Sequence, residues 1–225
     1  MRLLADCGNT TVKLALAEGR ELLRAARCEP RPVAWQDFLG QDTPEELVLL
    51  PGARGYAGAV EAWWPGRIRT VGGDLDLPPV GQYVGMGLDR IVAGLGLEGP
   101  ALIIDAGTAT TFGAWSGTFL GGLILPGAVA CAAGLAAAAP ALPMVTPGQH
   151  DARACQRDTA GALAAALGIG YPAMVAACAD RLATETGLTR RLLTGGNAPA
   201  LAAAGLQAEH DPWLVLRGLA VLAAG

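Results

Sequence analysis

The residues best suited to chemistry in this chain are carboxylates that end short apolar runs and are followed at once by glycine and hydroxyl side chains. Asp6-Cys7-Gly8-Asn9-Thr10-Thr11 follows Arg2-Leu3-Leu4-Ala5, and Asp105-Ala106-Gly107-Thr108-Ala109-Thr110-Thr111 follows Leu102-Ile103-Ile104. The two copies lie 99 positions apart, so the chain reads as a duplication. In each copy the glycine permits a tight turn that exposes backbone N–H groups, while the carboxylate and hydroxyls offer hard oxygen ligands. That combination suits phosphate and a metal ion. A third segment, Gly85-Met86-Gly87-Leu88-Asp89-Arg90, sets a carboxylate beside a guanidinium at the expected start of a helix. Such a carboxylate can orient an alcohol and take its proton as a phosphoryl group arrives, and the guanidinium can hold a substrate carboxylate through paired hydrogen bonds. The same two residues could equally serve as a helix cap and a surface ion pair.

Strands must end at these carboxylates for the chemistry to be available. Leu3–Asp6, Val12–Ala17 and Leu22–Cys28 read as three consecutive strands, then Leu47–Leu50 as a strand, Tyr56–Trp64 as a helix and Ile68–Val71 as a strand. A helix is predicted over Asp89–Leu97. After the Glu98-Gly99-Pro100 turn the order restarts with strands Ala101–Asp105, Thr110–Trp115 and Thr118–Leu125. Asp158 or Thr159 can cap a helix to about Leu167, and Pro172 can start another that Gly187 ends. Arg191–Thr194 reads as a strand before Gly195-Gly196-Asn197, and Trp213–Ala223 as a terminal helix. The expected domains are 1–98 and 99–225.

Composition narrows the class. Hydrophobic residues make up 52% of the 225 and charged residues 16%, which is the balance of a packed globule. The net charge of −4 lacks the basic footprint of a nucleic-acid binder. Five cysteines with no CxxC spacing read as reduced thiols of a cytoplasmic protein, and no signal peptide is expected at the N-terminus. His150 and His210 have no metal-ligand partner at suitable spacing. Residues 106–150 carry no Asp, Glu, Lys or Arg, but Pro126, Pro140 and Pro143 interrupt them. They are expected to form a buried strand, a Gly-Pro turn and a tightly packed Ala-rich helix, with Leu123–Leu142 covered in a homodimer and not in a membrane.

Strand–strand–strand–helix units occurring twice, each opening with Asp-x-Gly, resemble the actin/hexokinase/acetate-kinase superfamily. The resemblance implies an α/β, duplicated ribonuclease-H-like fold with ATP in the cleft between halves. Taken with Gly87-Leu88-Asp89-Arg90 and Gly121-Gly122-Leu123-Ile124-Leu125-Pro126-Gly127, the two loops resemble type III pantothenate kinases over nearly the whole chain. That family phosphorylates pantothenate with ATP. The resemblance implies that Asp89 is the proton acceptor and that Gly87, Leu88, Asp89, Arg90, Tyr83 and Thr159 bind the substrate. It assigns ATP to Asp6, Cys7, Gly8, Asn9, Thr10, Thr11, Val12, Lys13 and Thr108, with Leu193-Thr194-Gly195-Gly196-Asn197 approaching the adenosine. Asp6 would orient Mg²⁺ through water, and Asp105 would hold a monovalent cation, K⁺ or NH₄⁺. The residues alone do not choose potassium over magnesium for Asp105, and Thr159 also reads as a helix cap. The rival readings are another small-molecule kinase of the superfamily and a non-catalytic nucleotide-binding or transcription-accessory homologue.

Overall fold

The computed structural model describes residues 1–8, 11–52, 56–147 and 153–225; Asn9, Thr10 and His150 therefore lie outside the described residues. Two compact units result, one of Met1–Gly99, Ser116–Phe119 and Trp213–Gly225, the other of Pro100–Trp115 and Leu120–Pro212. The terminal helix, expected in the 99–225 half, thus packs within the first unit.

The first unit begins with β1 (Arg2–Cys7), β2 (Val12–Glu18) and β3 (Glu21–Cys28), then α1 (Pro32–Leu39), β4 (Glu46–Leu50), α2 (Tyr56–Trp63), β5 (Arg67–Thr70) and α3 (Leu88–Leu95). Its sheet runs β3-β2-β1-β4-β5, with β1 antiparallel to β2 and parallel to β4. The central strands are buried on both faces, which is why they read as nearly continuous apolar runs. Leu3, Ala5, Leu47 and Leu49 meet Trp35 and Val60 on one face. On the unit's other packing layer α7 (Leu214–Ala224) contacts β1 to β4 and α3. The α3–α7 contact is backbone-close. A Cβ on Gly218 would lie 1.7 Å from the Val92 carbonyl oxygen, and one on Gly96 would lie 2.5 Å from that of Leu214.

The second unit repeats the plan. Its strands are β6 (Ala101–Ala106), β7 (Ala109–Trp115), β8 (Phe119–Pro126), β9 (Arg191–Thr194) and β10 (Glu209–His210), in the order β10-β9-β6-β7-β8. Read from its three-strand end this is the order of the first sheet, and β6 is again antiparallel to the next strand and parallel to β9. This is the duplicated ribonuclease-H-like α/β fold. Between β8 and β9 lie α4 (Ala128–Ala138) and α5 (Thr159–Thr186), with α6 (Ala198–Ala203) before β10.

Two further expectations change. The two helices expected on either side of Pro172 are one, α5, whose 28 residues include that proline. Pro172 removes one N–H, but Tyr171, Val175, Ala179 and Leu182 pack into the second core and hold the helix together across it. Among the described residues α5 is the one helix long and apolar enough to cross a membrane by length and composition alone. The strand expected to be buried after Thr118, β8, is mostly exposed in the single chain, with Leu120, Leu123 and Ile124 all open.

Candidate active site

In the first unit the chemistry begins at the end of β1. Asp6 and Lys13 are register partners across the β1–β2 ladder, so their side chains leave the same face, and Lys13 Nζ donates to Asp6 Oδ2 at 3.1 Å. Lys13 is largely buried, not the solvated lysine usual on a hairpin strand. Just beyond β1 the Gly8 N–H lies 3.1 Å from the Thr11 carbonyl oxygen. Gly52, just beyond β4, runs against it: a Cβ there would sit 1.6 Å from the Cys7 carbonyl oxygen. Only glycine lets that segment pass. Cys7 and Val12 turn their side chains into the core, leaving main-chain groups for any ligand. Burial first, then the charges of Asp6 and Glu61, push the Cys7 thiol up to about 12, so it stays a neutral thiol.

Asp89 stands in the first turn of α3, following Leu88 and the N-cap Gly87. It accepts a hydrogen bond from the Arg90 N–H at 2.9 Å. Asp89 keeps an exposed surface, yet the protein packed around it desolvates the carboxyl enough to raise its pKa above the ordinary value of 3.8. Desolvation is the largest cause, and the negative charge of Asp6 adds to it. The Arg90 N–H and guanidinium pull the other way. Arg90 is buried, and its Nη1 donates to the Tyr83 hydroxyl at 2.7 Å. The structure therefore brings Tyr83, Asp89 and Arg90 together, although Tyr83 stands only six positions before Asp89. Phe119 lies in the same cluster, 5.4 Å from the guanidinium carbon to the ring centroid. It carries no motif of its own and was not among the residues singled out from the sequence.

In the second unit two backbone segments converge on the β6–β7 turn. The Gly127 N–H donates to the Thr108 carbonyl at 2.9 Å, and a Cβ on Gly127 would lie 2.4 Å from the Gly107 oxygen. The N-terminus of α4, with its partial positive charge, thereby starts against the loop that carries exposed Thr108. From the other side the Asn197 N–H donates to the Ala106 carbonyl at 2.8 Å, and Asn197 Nδ2 to that of Gly107 at 3.1 Å. Gly195, at φ +93°, runs so close to Asp105 that a Cβ would lie 2.4 Å from its Oδ1. The Gly195-Gly196-Asn197 turn is thus fastened to the Asp105 loop.

Asp105 pairs in register with Thr194 on β9 and with Thr111 on β7, so the three side chains leave one face of the sheet in a row. Thr194 is fully buried and its Oγ1 has no hydrogen-bond partner among the described residues. An orphaned hydroxyl in line with a carboxylate suits a cation that takes oxygen ligands. On the opposite face Thr110 and Tyr171 share a 2.6 Å hydrogen bond. Among the described residues no three of His, Cys, Asp or Glu form a metal-holding group, so a cation here would rely on single carboxylates with hydroxyl, backbone, water or ligand oxygens. Thr159 is the first helical residue of α5 and is exposed. Its neighbour Asp158 is the cap, accepting from the Gly161 N–H at 2.8 Å. Thr159 lines an open depression of about 500 Å³ with Gln156, Arg157, Asp158, Ala162 and Leu163.

Comparison with known proteins identifies the family. The family model described as type III pantothenate kinase matches residues 68–181, which include Tyr83, Asp89, Arg90, Asp105 and Thr159. The chain is 34% identical over 255 residues to the type III pantothenate kinase of Desulfatibacillum aliphaticivorans, covering 99% of this chain and 97% of that one. It is 30% identical over 250 residues to that of Desulfovibrio desulfuricans, covering 96% and 94%. Among solved structures, a conserved protein of Campylobacter jejuni described as a Baf family transcriptional activator aligns with a TM-score of 0.62 at 22% identity, covering 98% of this chain and 96% of that one. Component A of the (R)-2-hydroxyglutaryl-CoA dehydratase of Acidaminococcus fermentans aligns with a TM-score of 0.53 at 14% identity, covering 99% and 96%. At such identities the two structures speak for the fold alone, whereas the full-length sequence relatives go further: this chain belongs to the type III pantothenate kinase family.

Proposed function

We propose that this chain is a cytoplasmic pantothenate kinase that transfers the γ-phosphoryl group of ATP to the primary hydroxyl of pantothenate, giving 4'-phosphopantothenate and opening coenzyme A biosynthesis. The observation that carries the reading is the Asp89–Arg90–Tyr83 group at the start of α3. Asp89 accepts the proton of the substrate hydroxyl as the new P–O bond forms. Its raised pKa brings it closer to the basicity such a step needs. Arg90 and Tyr83 take the substrate carboxylate and so aim the far end of the molecule at Asp89. In the second unit the N-terminus of α4 beside Thr108 supplies donors for the phosphates of ATP.

Mg²⁺ neutralises phosphate charge when ATP is bound, and Asp6 is the carboxylate to orient it, with Lys13 alongside. Asp105, flanked by Thr194 and Thr111, fits a monovalent cation. Thr159, on its open depression, is the remaining substrate contact. One experiment tests the reading: incubation with ATP, Mg²⁺ and pantothenate in potassium or in sodium at equal ionic strength, with products identified by mass. Phosphopantothenate should form, and faster in potassium. No phosphorylated pantothenate would end the kinase reading, and equal rates in the two salts would end the cation assignment.

A further inference from the structure

Arg90 is the buried guanidinium among the described residues, and its surroundings hold more than its tyrosine partner. Its guanidinium carbon lies 5.9 Å from the centroid of the Tyr83 ring and 5.4 Å from that of Phe119. The two rings are themselves 6.0 Å apart and tilted by 49°. The three centres form a nearly equilateral triangle, so the guanidinium rests in a notch between adjoining rings. Both distances lie within the range over which a ring face attracts a cation.

Phe119 also supports the other wall of the notch. Its backbone N–H donates to the Val80 carbonyl at 2.7 Å, and Gly81, at φ +84°, approaches so closely that a Cβ would lie 2.9 Å from the Phe119 oxygen. The segment is braced internally by Gln82, which accepts from the Val80 N–H at 2.7 Å and donates to the Pro78 carbonyl at 3.0 Å. Tyr83 follows directly. Through its main chain Phe119 anchors the segment that carries Tyr83, and through its ring it holds Arg90.

We propose that Phe119 is a positioning residue that fixes Arg90 for the substrate carboxylate and thereby sets the preference for an anionic over a neutral substrate. The proposal rests on the pantothenate reading for the identity of that carboxylate. The physical reason is preorganisation. A long, freely rotating arginine loses its conformational freedom on taking a ligand, whereas one already seated in a notch has lost it beforehand. A cation whose flat face is drawn to rings is held with its N–H edge in a fixed direction, the condition for directional hydrogen bonds to a carboxylate.

Steady-state kinetics on Phe119→Leu and Phe119→Tyr decide the selectivity, and guanidinium NMR decides the positioning. In Phe119→Leu the KM for pantothenate should rise roughly 5- to 30-fold while kcat stays within about threefold and the KM for ATP is unchanged. With the analogue whose carboxylate is replaced by a neutral amide, the same variant should match the wild type. Phe119→Tyr, which keeps the ring, should restore the pantothenate KM. The Arg90 Nη signals should show slow rotation in the wild type and Phe119→Tyr, and fast rotation in Phe119→Leu. Should Phe119→Leu not fold, Phe119→Met removes the ring in its place. Equal loss on the anionic and amide substrates, or unchanged Arg90 signals in the ring-less variant, would overturn the proposal. A wild type inert toward pantothenate would overturn the functional reading, and the NMR result would still decide whether Phe119 holds Arg90.

Discussion

Among single residues Asp89 stands out, a carboxylate held above its ordinary pKa chiefly by desolvation. A folded chain that binds this proton more readily than the unfolded one loses stability as pH rises from 3.8 through the raised folded value. Near neutral pH the ionised Asp89 is therefore a net cost to the fold. Asp89→Asn removes the charge but keeps an oxygen to accept from the Arg90 N–H. Its melting temperature near neutral pH should equal or exceed that of the wild type, and the gap should close on acidification. A variant several degrees less stable would contradict this. In the active enzyme the acidic limb of the kcat/KM profile should lie above the range of an ordinary aspartate, since Asp89 must be ionised to accept a proton.

At the scale of elements the repeat makes the glycines informative. In the α3–α7 contact Gly218 lies against the Val92 carbonyl, with no room for even a methyl group. Gly218→Ala should destabilise the protein by about 1–3 kcal/mol, because the helices must separate to admit it. Denaturant unfolding with an unchanged midpoint would show that the helices are not packed this closely. Most of this level could be read in the sequence. Strands ending at Asp6 and Asp105 were visible because both faces of β1 and β6 are covered, leaving continuous apolar runs followed by glycine. The helix α1 was not read, although Pro32 at its first turn and the spacing of Trp35 and Leu39 carry the signal. Pro172 misled because tertiary packing along α5 overrides a local helix breaker. The candidate site could be proposed from the sequence where its chemistry sits in motifs, at Asp6, Asp89, Arg90 and Asp105. Phe119 and Gly52 escaped because their roles come from which segments meet in space, and spacing along the chain does not encode that. Thr194 reads in the sequence as a strand end and part of a glycine turn; the row it forms with Asp105 depends on strand register.

At the scale of the molecule the uncharged stretch 106–150 includes side chains that a single chain leaves uncovered. Leu120, Leu123, Ile124, Val129, Leu135 and Met144 are all exposed, an apolar surface of the kind that seeks a partner. We expect a homodimer joined through this region. Light scattering over a dilution series should show a dimer, with pantothenate use falling as it dissociates; a stable, fully active monomer would contradict this. Whether the chain uses Asp89 to move a phosphoryl group onto pantothenate is decided by ADP release measured with and without pantothenate, in wild type and Asp89→Asn side by side. The wild type should release ADP in a pantothenate-dependent manner, and the variant should bind ATP yet turn over about 10²–10⁴-fold more slowly. ADP release indifferent to pantothenate would contradict the kinase reading, and a variant as fast as the wild type would exclude Asp89 as the proton acceptor.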